Sequence, residues 1–260
     1  MSTGRQQSVG RLVLIMVIVV IAGILIARFY YRNINRSVDP RIVHARELYA
    51  EYDMHARSGD YTAIFTLLDT IEKVYNAVNH YRSAFEIGVL DNNRAAAMLT
   101  IALYRDSIPL AADLFSGIST DSLVSLASFH IHKALKVYEE WDMKFSGKSR
   151  EEMQELIQAG FMEGLDAWDD ELRNSFLKNR IREMESAQIE NKRRRSVCYS
   201  NLGLVHRYWG DYEAAAEHYM KAIQLWDRNL DAENNLNILL NKPLRKRNLL
   251  QRLFPPEKQQ

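Results

Sequence analysis

The stretch from Tyr199 to Asn229, YSNLGLVHRYWGDYEAAAEHYMKAIQLWDRN, constrains the fold more tightly than any other part of the chain. Trp209 to Tyr212 form a turn between two segments of helical period. On the first segment Tyr199, Leu202, Gly203 and His206 recur at spacings of three, four and seven, which puts them on one helix face. On the second, Ala215, Tyr219, Ala222 and Ile223 do the same. Each face mixes small with large residues, so that Gly203 and Ala215 stand opposite Tyr199 and Tyr219. Two helices approach closely only when such residues alternate. The stretch therefore predicts an antiparallel helical hairpin with Gly210 in its turn.

This pattern resembles the tetratricopeptide repeat, whose signature is an aromatic, Leu-Gly, an aromatic, an Ala, an aromatic and a closing Pro. Tyr199 takes the place of the first aromatic, Leu202 and Gly203 match outright, and His206 stands where Tyr is usual. Ala215 matches, Tyr219 replaces Phe, and Asp227 stands where Pro would close the unit. Gly210, Tyr212 and Ala222 add further matches. The resemblance implies a solenoid of helical hairpins whose first helices line a concave groove for an extended peptide or a partner helix. On this chain the corresponding face carries Val197, Ser200, Asn201, Leu204, Arg207 and Tyr208. Asn201 and Asn235, 34 residues apart, resemble the asparagine ladder by which some members hold a peptide backbone, since an amide both donates and accepts. The alternative for both is a helix-surface asparagine. Ser200 and Leu204 occupy the places of the family's carboxylate clamp, which argues against capture of a C-terminal carboxylate.

The rest of the chain reads as all-α. Turn residues are few, with 5 Pro and 11 Gly in 260 residues, and helix formers dominate. Ser58-Gly59-Asp60-Tyr61 repeats the Gly-Asp-Tyr turn and predicts a second, degenerate hairpin, with Glu51-Tyr52 in place of Leu-Gly and Ile64 in place of Ala215. Glu86-Ile87-Gly88 is reminiscent of the Leu-Gly element, and Asp91-Asn92-Asn93 reads as a break after it. A short helix is expected from Ile108-Pro109 to Phe115, and a longer one from Thr120 or Asp121 to about Met143. Phe145 to Arg150 is a polar break that suits a linker, and Ser149 with Glu152 forms a capping-box pattern. From Asp166 to Gly203 neither Gly nor Pro interrupts the pattern, which fits one long helix or two with an unmarked turn. Its basic run, Lys192 to Arg195, comes after Glu183, Glu185 and Glu190 and reads as a solvated face with intrahelical ion pairs; a phosphate or lipid patch is the alternative. The expected division is 40–145 degenerate repeats, 146–195 helical connector, 196–229 repeat, 230–242 capping helix and 243–260 basic tail. A half-repeat of this kind covers the last groove of a solenoid.

Leu12 to Ala27 is a run of 16 residues without a charge, bracketed by Arg11 and Arg28 and extended by the aromatics Phe29 to Tyr31. A helix of this length spans about 24 Å, and the flanking aromatics and arginines bring it near the roughly 30 Å hydrocarbon core. No small-x-small cleavage site comes after it. The expectation is an uncleaved single-span anchor over 12–31, with tail 1–11 before it and linker 32–39 after it. Arg28, Arg32, Arg36, Arg41 and Arg46 favour a cytoplasmic trailing side, whereas a span so near the amino terminus commonly exports the domain on its carboxy-terminal side. The reading adopted is an extracytoplasmic domain.

Chemical signatures are missing. The chain has no nucleophile elbow, Walker, dinucleotide, HExxH or CxxC pattern. His130 and His132 are two apart, which on a helix aims them to different sides. His206 and His218 could face each other, but the reading adopted has His206 in the aromatic slot and His218 exposed. A single cysteine, Cys198, excludes an internal disulfide, and a net charge of +1 gives no reason to expect nucleic acid. The expected protein is a non-enzymatic, membrane-tethered scaffold that binds protein partners and uses neither cofactor nor small-molecule substrate. A structural subunit of a larger membrane complex and an enzyme with an unrecognised site are the alternatives.

Overall fold

A computed structural model describes residues 37–104 and 114–246, together with Met16, Val19, Val20, Ile21 and Gly23 in helical backbone. Most of the proposed anchor, the start of the helix expected at Ile108 and the end of the basic tail lie outside the described residues. Among the described residues there is no strand, and no helix is long and apolar enough to cross a membrane.

Asp39 starts the helical domain as the sequence suggests. Its carboxylate accepts from the backbone N–H of Arg41 at 3.0 Å and from Tyr81 Oη at 3.2 Å. The Arg41 guanidinium in turn donates to the carbonyl oxygens of Phe161 and Glu163, 120 and 122 residues away. The first hairpin comes next: α1 spans Val43–Ser58 and α2 spans Tyr61–Ala77. Gly59 ends α1 in the left-handed region, at φ 72°, where glycine avoids the Cβ penalty. Asp60 then caps α2 by accepting from Ala63 N at 3.1 Å. A short 3-10 turn, Asn79–Tyr81, leads on.

The second pair of helices, α3 (Phe85–Tyr104) and α4 (Thr120–Phe145), makes the largest helix contact in the described chain. Asp91, Asn92 and Asn93 do not break α3. Burying polar side chains is tolerated when each finds a partner, and these do. Asp91 meets His130 at 2.9 Å and Lys133 at 3.2 Å, and Asn93 donates to Tyr49 Oη at 2.9 Å. Arg94, beside them, pairs with Asp69 at 2.7 Å and Glu72 at 2.9 Å on α2. Gly88 lies under the buried Tyr138 ring; a Cβ there would stand 2.7 Å from it. The likeness of Glu86-Ile87-Gly88 to a Leu-Gly element thus corresponds to a real close approach. Ser119, rather than Thr120 or Asp121, caps α4, accepting from Ser122 N.

Residues 146–149 form a tight turn instead of a free linker. Gln188 donates to the carbonyl oxygens of Phe145 and Lys148, and one hydrophobic cluster runs without interruption from Ile42 to Val205. Helix α5 (Arg150–Met162) opens with the expected capping box of Ser149 and Glu152. The segment after it is a single helix, α6 (Asp170–Tyr208), of 39 residues and about 58 Å. Its first half packs on α4 and α5. Its last half pairs with α7 (Tyr212–Leu225), which α8 (Leu230–Leu239) then covers. The basic run on α6 makes ion pairs both within the helix, Arg193 with Glu190 at 3.0 Å, and across to α4, Arg195 with Asp142 at 3.3 Å.

The α6–α7 hairpin packs as its residue sizes dictate. Tyr219, Ala215 and Ala222 are fully buried, and Gly203 admits the Tyr219 ring so closely that any Cβ would overlap it. Tyr199 bridges this cluster and the main core. Two expectations are corrected. Tyr212 is not a core residue: it is 61 % exposed at the first position of α7, where it points away from α6. His218 is half-buried, not exposed, because its ring packs 4.8 Å from that of His206 across the hairpin.

Candidate functional site

The face of α6 expected to line a groove is largely occupied by the chain itself. Ser200 is buried, so it is corrected from a partner-binding to an interior position. Asn201 Nδ2 donates to Asn92 Oδ1 at 3.2 Å, and Cys198 Sγ donates to the same oxygen at 3.3 Å. Tyr208 Oη donates to Asp121 Oδ1 at 2.6 Å, a bond that pushes the phenol pKa up. Val197, Leu204 and Arg207 are half-buried, and Asn235 is half-buried on α8. The spacing of these residues does place most of them on one face. That face meets α3 and α4, so Asn201 serves as a seam between hairpins, its amide already engaged.

The larger hollow lies elsewhere, between α1, α2, α3 and the middle of α6. It has a volume of about 500 Å³. Phe85, Val89, Leu90 and Ala187 give it apolar surface; Tyr49 and Tyr75 give aromatic rings with hydroxyls. Tyr49 and Tyr52 pack with ring centroids 5.2 Å apart, one helical turn from each other on α1. Arg46, Glu86, Glu183, Glu190 and Arg194 bring charge to the lining. Only α1, α3 and α6, the first helices of the three hairpins, and Tyr75 of α2 contribute to it.

Most of this charge is neutralised internally. Arg46 pairs with Glu183. Arg180, almost wholly buried, donates to Glu86 at 2.5 Å and Glu183 at 3.2 Å, and its guanidinium lies 4.6 Å from the Tyr81 ring centroid. Burial works against the Arg180 charge, but Glu86 offsets it and holds the pKa well above its ordinary value. Burial would likewise raise Glu86; Arg180 reverses that and lowers it. Arg180 Nε also donates to His80 Nε2 at 3.3 Å, which leaves the His80 proton on Nδ1. Burial first, and the Arg180 charge second, lower the His80 pKa to about 3. Glu183 and Glu86 therefore clamp α1, α3 and α6 together beside the hollow.

Arg194 is different. Its side chain is 34 % exposed, its ion-pair partner Glu190 stands 3.7 Å away, beyond hydrogen-bond reach, and its Nε is shielded from solvent with no hydrogen-bond partner. Sequence reading placed Arg194 in a solvated basic run and missed the hollow, because its walls come from four helices spread over about 150 residues. Glu183, read as an intrahelical partner, does pair within α6 with Arg180 at 3.2 Å, and it also reaches across to Arg46 on α1.

The family comparison agrees with the hairpin geometry. Residues 196–229 match the family model described as Tetratricopeptide repeat, so α6 from Ser196 onward and α7 form such a repeat. No curated protein and no solved structure matches the chain.

Proposed function

We propose that this chain is a membrane-tethered scaffold that holds a segment of a partner protein in the hollow between α1, α3 and α6. The observation that carries it is the hollow itself: an open, aromatic and apolar recess walled by the first helices of successive hairpins. The repeat at 196–229 suggests protein–protein interaction in general; the hollow supplies the concave surface, since pockets with apolar lining and a few placed polar groups are where ligands bind. Tethering is supported by the uncharged run from Leu12 to Ala27. Asp39 is locked by Arg41 and Tyr81, so eleven residues, 28–38, separate that run from the rigid domain. Such a short tether confines a partner to the membrane surface and raises its effective concentration there.

The test uses the full chain in detergent, purified from its native membrane. Ser186 is exposed at the rim of the hollow, and its hydroxyl bonds only the carbonyl of Arg182. Ser186→Trp fills the recess without touching the core. A partner that co-purifies with the wild type is expected to be lost with Ser186→Trp and kept with Lys178→Trp on an exposed position outside the hollow. Equal co-purification with both variants sinks the reading and favours a structural subunit held by other surfaces. Reporter fusions at Gln260, active on one side of the membrane only, decide the orientation, for which an extracytoplasmic domain is the expectation.

A further inference from the structure

Past the end of α8 the chain doubles back on itself. Asn241 stands in the left-handed region at φ 52°, and the N–H of Lys242 returns to the carbonyl of Asn237 at 2.8 Å. Residues 242–246 then run outside any helix, every one of them exposed. Arg245 meets the start of α8, where the side-chain amide of Asn234 closes on its backbone. Asn234 Oδ1 accepts from the Arg245 N–H at 2.8 Å, and Asn234 Nδ2 donates to the Arg245 carbonyl oxygen at 3.1 Å. The Arg245 guanidinium donates to Glu233 at 2.5 Å. Asn234, rather than the neighbouring Asn235 singled out by the sequence, is thus the residue that grips a backbone. The two parts of this contact select differently. The amide reads peptide groups alone, so it takes any residue with an N–H, which excludes proline. The Glu233 carboxylate, with Asp231 in the same turn, favours a basic side chain, and the strap brings Lys242, Arg245 and Lys246. All these bonds face water, where ion pairs and hydrogen bonds contribute little, and keeping them orders the residues from Asn241 to Arg245. A strap held in this way is open to competition.

We propose that Glu233 and Asn234 on α8 form a docking site for an extended segment of a partner with Arg or Lys at the gripped residue, and that residues 242–246 fill this site in the free chain as an intrasteric strap. The strap is the template for the partner: what fits the site is what occupies it. The incoming residue gives its N–H and carbonyl to Asn234 and its cation to Glu233, and Arg245 leaves. Recognition is of an internal residue and needs no chain end. The site is separate from the hollow, because α8 packs on α7 and α6 and contributes nothing to the hollow's lining. It stands whether or not the hollow holds a partner.

The probe is a labelled synthetic peptide with the sequence of residues 241–246, blocked at both ends. It is titrated onto the full chain in nanodiscs of zwitterionic lipid, which gives a basic peptide no anionic surface to bind. Arg245→Pro removes both the N–H that Asn234 accepts and the guanidinium that Glu233 accepts, and so frees the site. The peptide is expected to bind Arg245→Pro about threefold to tenfold more tightly than the wild type, whose site is occupied for most of the time. Adding Asn234→Ala to Arg245→Pro weakens it roughly tenfold. Adding Glu233→Gln instead weakens it about threefold, and a peptide with Gln in place of its Arg loses no more on that chain. The strap is exposed, and the bonds of Asn234 go to Arg245 alone, so these chains are expected to melt with the wild type, which thermal unfolding checks. No binding to Arg245→Pro, equal binding to wild type and Arg245→Pro, or binding that Asn234→Ala leaves unchanged overturns the proposal. A wild type that runs as a dimer beside a monomeric Arg245→Pro overturns it too, and assigns the site to the strap of a second copy.

Discussion

In the α1–α2 hairpin Gly59 turns at φ 72°, and in the α6–α7 hairpin Gly210 turns at φ 79°. Asp60 caps α2 through Ala63 N at 3.1 Å; Asp211 caps α7 through Ala214 N at 3.1 Å. The N–H of each Asp returns to the carbonyl of the histidine five residues earlier, His55 or His206, and the histidine ring faces the Asp carboxylate at 3.1 Å or 3.4 Å. The turns are the same device. The packing behind them is not. Where α6 has Gly203 and α7 answers with Tyr219, α1 has Tyr52 and α2 answers with Leu68. The same backbone bend is thus filled once by a ring seated on a glycine and once with the large residue moved to the other helix. The α3–α4 pair shows the converse: Gly88 under Tyr138 repeats the glycine–ring contact without any Gly-Asp turn. Turn chemistry and interhelical packing are separable, and each can persist without the other.

The largest expected effect tests the packing half of this comparison. Gly203→Ala drives a Cβ into the Tyr219 ring, and overpacking of this kind costs about 1–3 kcal/mol. Tyr219→Leu, the residue that α2 has at the matching place, should relieve the clash. The double-mutant cycle, read by denaturant unfolding, is expected to show favourable coupling above about 1 kcal/mol. Additive losses would mean that the glycine–ring contact is not what sets the spacing of α6 and α7.

A comparable effect separates the two ends by pH. Beside the first hairpin, His80 stays neutral in the fold, with a pKa lowered to about 3 from an ordinary 6.5. The unfolded chain takes up that proton below pH 6.5 and the folded one does not. Stability is therefore full above pH 6.5 and falls as pH drops, by about 1.4 kcal/mol per pH unit. Glu86, whose pKa is lowered from 4.5, adds loss of the same sign only below that value. Between pH 6.5 and 4.5 the wild type is expected to lose about 2 kcal/mol, and His80→Gln to flatten most of the slope. His218 in the last hairpin is also lowered, by burial and then by His206, but is half-exposed and contributes less. A slope unchanged by His80→Gln would remove this contrast.

The smallest effects test the turns. Asp60→Ala and Asp211→Ala each remove a helix cap and are expected to cost about 1 kcal/mol. Asp60→Asn and Asp211→Asn keep the cap acceptor and change only the contact with the facing histidine ring, for which a few tenths of a kcal/mol is expected. Thermal melts that differ markedly between the two positions would show that the turns are not equivalent.

The features legible in the sequence are local ones: the hairpin of α6 and α7, the capping box at Ser149, the Gly-Asp turn before Tyr61, and the helix α8 whose Asn229 cap also bonds Ser196. Each depends on residues within a turn or two of one another. Asp91 to Asn93 read as a break because polar residues inside a helix look exposed until their partners are known, and those partners sit on α1, α4 and α6. Tyr212 read as core because the family pattern marks it, whereas its position at the open end of α7 leaves it in solvent.

By itself, then, the sequence determined an all-α chain, the repeat at 196–229 and the shared turn chemistry, since backbone preference and helical period act over a few residues. Tertiary structure alone decided which helix faces stay open. Asn201 is closed by Asn92 and Tyr208 by Asp121, at separations of 109 and 87 residues. The open hollow, with Arg194 in its lining, exists only because α1, α3 and the middle of a 39-residue helix converge there. Burial and hydrogen-bond satisfaction depend on neighbours in space, and no local pattern in the chain records them.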